Sequence, residues 1–144
     1  MMKWFKLLFV LLVIGAFVYK SFVYTDEQYY CSIKVLPSFQ PSNWDFRKVF
    51  KMLKQTAPEE YQYMCANVST ISKDMSCGGF DGGCYYTEQR RTLYIGNDQD
   101  NIAVTTAVII HELCHARQNN EGRPLIESEC YQKGASYLNG LYSY

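Results

Sequence analysis

The sequence predicts an α+β fold: a small, mostly antiparallel sheet packed against a central helix and a C-terminal helix, behind an apolar N-terminal segment. Three observations predict it. Ile102 to Gln118 is apolar almost all round until its polar end, the pattern of a helix buried on most sides. Pro124 to about Leu141 carries a small, apolar face suited to packing back on that helix. Between the N-terminal segment and Ile102, short runs of β-branched and aromatic residues such as Thr92 to Ile95 alternate with glycine and proline breaks. A chain of 144 residues, 48% hydrophobic and 16% aromatic, holds enough apolar surface for one domain with its own core.

The elements follow in order. Leu7 to Tyr19 is an unbroken apolar run preceded by Lys3 and Lys6, a signal-type segment. Trp4 and Phe5 before it and Phe22, Val23 and Tyr24 after it extend the run toward spanning length, and Lys20 can snorkel. No small-x-small cleavage pattern follows. Residues 1–24 are therefore expected to stay as an anchor, the alternative being a signal peptide removed from a secreted protein. Lys3, Lys6 and the amino terminus lie on one side, with Asp26 and Glu27 on the other, so the tail is expected in the cytoplasm and the domain outside. Residues 25–40 read as a tether, with Cys31, Ile33 and Val35 forming a short strand before Pro37. The folded domain is expected over 41–144. Pro41-Ser42-Asn43 opens a helix to about Lys54 whose Phe46, Val49, Phe50 and Leu53 recur at i, i+3, i+4 and i+7, with Arg47, Lys48, Lys51 and Lys54 read as a solvated outer face, the alternative being a membrane-surface patch. After Ala57-Pro58 come a short helix through Tyr63 and a strand around Ala66 to Ser72. Tyr85 to Thr87, a turn at Glu88 to Arg90, and Thr92 to Ile95 read as a hairpin. Asp98 or Asp100 can cap the central helix.

Charge and cysteine content exclude some classes. Without Lys3, Lys6 and Lys20, 11 basic residues face 14 acidic ones from Thr25 onward, a formal charge of −3 that gives no footing for nucleic acid. Six cysteines are an even number and imply up to three disulfides in an oxidising compartment. The four glycines between Cys77 and Cys84 let that loop turn back on itself, which suggests a Cys77–Cys84 bond. No C-x-x-C pair is present to hold a structural zinc.

The residues with the strongest chemical signal are His111-Glu112-Leu113-Cys114-His115. Two histidines four apart on a helix share a face, so both imidazoles reach one Zn²⁺, and the intervening glutamate is placed to deprotonate a metal-bound water. That is zinc-hydrolase chemistry. A catalytic zinc takes three protein ligands, and the chain has no third histidine. Glu127 and Glu129 remain as carboxylate candidates on different faces of the last helix. Tyr131, Gly134, Ala135 and Leu138 give the Glu127 side a packing character, whereas Glu129 sits with Gln132, Lys133 and Ser136 and suits an i+4 pair with Lys133. The helix faces thus favour Glu127, with Glu129 as the alternative.

His111 to His115 followed by Glu127-Ser128-Glu129-Cys130 resembles the gluzincin group of zinc metallopeptidases, in particular the small minimal-zincin kind, over about Leu93 to Tyr131. The resemblance implies a zincin-like fold, a Zn²⁺ cofactor, His111, His115 and Glu127 as metal ligands, Glu112 as general base, and a peptide or protein substrate. The family's Asp four residues after the ligand glutamate is Tyr131 here, so the partner that orients a ligand histidine must come from elsewhere. Leu93 to Ile95 resembles the edge strand that takes an extended peptide, its plain reading being a core strand; Tyr131, Tyr137, Tyr142 and Arg117 are candidate oxyanion donors, and Cys84 is a competing metal ligand. Antiparallel helices that join Glu127 to the two histidines also bring Cys130 toward Cys114, which suggests a second disulfide. Together these imply a membrane-anchored, extracytoplasmic zinc metallopeptidase. The alternative is a catalytically inactive zincin-like domain whose disulfides serve binding or structure.

Overall fold

Alternating buried and exposed residues turn Cys31–Leu36 into a strand whose Cys31, Ile33 and Val35 face inward, and this strand organises one flank of the molecule. The structure, a computed structural model, describes residues 2–37, 45–74, 76–77, 82–96 and 101–142. Its elements are α1 (Met2–Phe22), β1 (Val23–Asp26), β2 (Cys31–Leu36), α2 (Phe46–Thr56), α3 (Pro58–Asn67), β3 (Thr70–Lys73), β4 (Gly83–Tyr85), β5 (Thr92–Ile95), α4 (Ile102–Asn120) and α5 (Glu127–Leu141). The fold is α+β. Strand order is β1-β2-β3-β5-β4.

The sheet corrects two expectations. It is mixed rather than mostly antiparallel, because β2 with β3 and β3 with β5 run parallel, and only the outer pairs β1–β2 and β4–β5 are antiparallel. The cause lies in the connections: α2 and α3 form the long crossover that a parallel β2–β3 pair requires. The hairpin of β4 and β5 docks through β5, so Leu93 to Ile95 lies inside the sheet and β4 is the edge. The stretch read as a tether is also folded. It supplies the end of β1 and all of β2, and Cys31, Ile33 and Val35 join the core.

α2 buries Phe46, Val49, Phe50 and Leu53 as its periodicity predicts, and Asp45 caps it by accepting the Arg47 N–H at 2.9 Å. Residues Pro41 to Asn43, expected to open this helix, lie outside the described residues. α3 runs on to Asn67, past the expected end at Tyr63, so β3 begins only at Thr70. The core is closed by α4, whose Thr105 to Ala116 are all buried between the sheet, α2 and α5. Asn101 caps α4 by accepting the N–H groups of Ala103 and Val104; Asp98 and Asp100 lie outside the described residues. Fully burying side chains such as Phe50, Leu53, Ile109 and Leu113 stabilises the fold by roughly 2 kcal/mol each.

α5 starts at Glu127, three residues later than Pro124. Gln118 explains the delay: its amide accepts the Ile126 N–H at 3.0 Å and donates to the Ile126 carbonyl at 3.3 Å, which holds Ile126 extended. Three disulfides join Cys31 to Cys65, Cys77 to Cys84 and Cys114 to Cys130, the last two being the pairs expected from the sequence. α1 is apolar and exposed along its length. Its 21 residues span about 31 Å, close to the hydrocarbon thickness of a bilayer, and a signal sequence has the same character.

Candidate metal centre

α4 places His111 and His115 one turn apart on its buried face, where the turn spacing sets their Nε2 atoms 3.1 Å from each other. α5 crosses this face with its first residue, and Glu127 Oε2 lies 3.4 Å from His111 Nε2 and 2.5 Å from His115 Nε2. The Cys114–Cys130 disulfide ties the two helices beside the cluster. One ligand atom from each of the three residues falls within 4.8 Å of the others. Three donors on one ion in a tetrahedral site stand about 3.3 Å apart. Two of the three observed separations agree closely, and the third, between His115 and Glu127, is shorter. A metal ion therefore fits this donor set of two nitrogens and one oxygen.

The electrostatics suit a cation. Burial, and then the neighbouring His115, hold the His111 imidazole below its ordinary value, which favours the neutral, ligating form. Glu112 is buried, and its Oε2 has no hydrogen-bond partner among the described residues. Burial, with Glu127's charge adding to it, pushes the Glu112 carboxyl up to about 8.

Gln118 supplies what Tyr131 does not. His115 Nδ1 donates to Gln118 Oε1 at 3.2 Å, which leaves Nε2 with its lone pair toward Glu127 and His111. The amide cannot turn over, because its NH₂ is committed to the Ile126 carbonyl and the Glu129 carboxylate. Sequence reasoning missed this residue. Its signal was present: Gln118 follows His111 at i+7 and His115 at i+3, on the same face.

The cleft above these groups, about 340 Å³, is lined by Gly83, Cys84, Tyr85, His111, Glu112, His115, Leu125 and Glu127. β4 thus forms one wall. Gly82 accepts from the Gly96 N–H, and the register then makes Gly83–Ile95 and Tyr85–Leu93 non-bonded pairs. The N–H and C=O groups of Gly83 and Tyr85 consequently turn away from β5, toward the free edge of the sheet. Gly83 also explains how the strand comes so close: a Cβ there would stand 2.3 Å from Glu112 Oε1 and 2.7 Å from Val108 Cγ1.

The other sequence candidates lie apart from the cluster or serve elsewhere. Glu129 pairs with Arg123 and Gln118 rather than with Lys133, which reaches Glu60 instead. Arg117 pairs with Glu60 at 3.0 Å and stacks on Tyr63, and the Tyr137 hydroxyl bonds to Thr56. Tyr142 is exposed, whereas Tyr131 packs edge-on against the His111 ring. Cys84 lines the cleft but is bonded to Cys77.

Comparison with models of protein families, with curated proteins and with solved structures finds no match. The chemistry of the cluster rests on its own atoms.

Proposed function

We propose that this protein is a membrane-anchored zinc metallopeptidase of gluzincin type, acting outside the cytoplasm. The observation that carries the reading is the convergence of His111, His115 and Glu127 from two helices beside a buried Glu112 whose Oε2 has no partner among the described residues. Two imidazoles and a carboxylate are a donor set that zinc takes in hydrolases, and bound zinc lowers the pKa of a water molecule to about 7 and polarises a carbonyl. Glu112 then has the position and the proton affinity to accept a proton at its carboxylate and hand it to a leaving amine. The free edge of β4 offers main-chain donors and acceptors at Gly83 and Tyr85 to an extended peptide, which supports a peptide substrate over a small ester or amide. Gln118 keeps His115 in the ligating tautomer.

Two coarser facts support this location. Three disulfides fit an oxidising, extracytoplasmic setting, and α1 is long and apolar enough to cross a membrane. The test is hydrolysis of a peptide library by the purified full chain. Glu112→Gln is expected to abolish turnover while the metal content stays at one ion per chain. Retained metal with no turnover in the unsubstituted protein would overturn the enzymatic reading and leave a binding or structural domain.

A further inference from the structure

We propose that the end of the domain facing α1 is a basic collar that seats on anionic lipid headgroups, those of the leaflet from which α1 emerges. The proposal rests on the reading of α1 as a membrane anchor. No spacer separates α1 from the domain, since Phe22 ends the helix and Val23 opens β1. α2 runs alongside this junction in the same direction, and three contacts fix its alignment. The Arg47 guanidinium donates to the Lys20 carbonyl, Phe50 packs edge-on against Tyr24 at 4.8 Å, and Lys54 reaches Asp26 at 2.7 Å. The first turn of α2 therefore stands level with the last turn of α1, while Lys54 lies about 10 Å further along. β2 returns toward the same end, where Lys34 is opposite Val23.

Charge is gathered at that level. Lys20, Lys34, Arg47 and Lys48 are all exposed there, with Lys51 one helical turn above Arg47, and α2 contains no acidic residue. Among the described residues, Asp45 and Asp74 are acidic groups at this end; Asp45 is engaged by the Arg47 N–H and by the charge of Lys73, and Asp74 by Ser76. Asp26 and Glu27 sit at the opposite end of β1, where Lys54 neutralises Asp26. The interfacial layer of a bilayer is roughly 6 Å deep on each side, and the Debye length is about 8 Å at physiological salt. With their long stems, Lys20, Lys34 and Lys48 can reach that zone, while the Arg47 guanidinium stays on the Lys20 carbonyl at its border. A solvated outer face accounts for exposure of α2's lysines; it does not account for their clustering with Lys20 and Lys34 where the apolar helix enters. Such a collar holds the domain in one orientation on the membrane, which a chain without a spacer needs for its cleft to face incoming substrate.

The experiment uses the full chain in neutral phosphatidylcholine vesicles and in vesicles with roughly a third phosphatidylglycerol, with amine labelling followed lysine by lysine. In anionic vesicles Lys34 and Lys48 are expected to label roughly threefold more slowly or slower still. Their rates should recover in about 1 M salt, where the Debye length falls to about 3 Å. Lys133 of α5, paired with Glu60 of α3, serves as the control and should not respond. Equal rates at Lys34 and Lys48 in the two lipids would overturn the collar. Flotation after an alkaline wash reports on anchorage alone: a chain lost from the vesicles overturns the anchor, and a chain that floats yet labels alike in both lipids overturns only the collar.

Discussion

Gly83 has no side chain where Glu112 and Val108 leave no room for one. Replacing it with alanine sets a methyl group against a stiff valine and the Glu112 carboxylate. Overpacking of this kind costs roughly 1–3 kcal/mol. Gly83→Ala is expected to lower the unfolding temperature and to cut peptide turnover at least as much as binding, with the metal retained; unchanged turnover would show that β4 does not set the position of Glu112. Gln118→Ala should act differently. It removes the His115 partner and strands the Ile126 N–H, so metal affinity is expected to fall by about 10- to 100-fold in a titration, with a stability loss of roughly 1–3 kcal/mol. The pair His111 and His115 was legible in the sequence because a helical turn is a local rule. Gln118 obeys the same rule but reads as a surface amide until α5 is seen to cover it. Gly83 was hidden among neighbouring glycines, since only its contact with α4 distinguishes it.

At the scale of elements, local periodicity carried most of what was readable. The i, i+3, i+4, i+7 stripe of α2, the hairpin of β4 and β5 and the apolar girth of α4 all appear where the residues put them. Strand order did not follow from such patterns, because which edge of β3 receives the hairpin is decided by distant contacts. The Cys31–Cys65 disulfide shows the consequence: it joins β2 to α3 across a sequence separation of 34. Closing a loop of this length restricts the unfolded chain by roughly 4 kcal/mol, so the double Cys31→Ser, Cys65→Ser variant is expected to lose about that much in chemical denaturation. A second check lies beside it, where Lys54 and the Tyr61 hydroxyl both donate to Asp26 Oδ2 at 2.7 Å. The hydrogen bond from Lys54 is the main cause that holds the Asp26 carboxyl below its ordinary value. A depressed carboxylate contributes stability above its unfolded pKa and loses it as pH falls through the folded value. Asp26→Asn should therefore cost stability at neutral pH and little at strongly acidic pH, as read from thermal unfolding across the acid range; an equal cost at both ends would place the effect in packing instead.

For the molecule as a whole, two features set the functional reading: an apolar helix joined to the sheet without a spacer, and a cluster of ligating groups shared by α4 and α5. The first was legible as an apolar helix of spanning length but not as one joined directly to the sheet, because residues 25–40 carry too few apolar positions to announce that they complete a sheet. The second was legible in its two histidines, with Glu127, Glu129 and Cys84 open as the third group; the Arg123 pair draws Glu129 away and the bond to Cys77 occupies Cys84. The central claim is that His111, His115 and Glu127 together hold one divalent ion. Metal analysis of the purified full chain tests it most directly, comparing the unsubstituted protein with His111→Ala, Glu127→Ala and Glu129→Ala. One zinc per chain is expected in the unsubstituted protein and in Glu129→Ala, with the ion lost in the other two; a chain that takes up no metal, or that keeps it in Glu127→Ala, would contradict the claim.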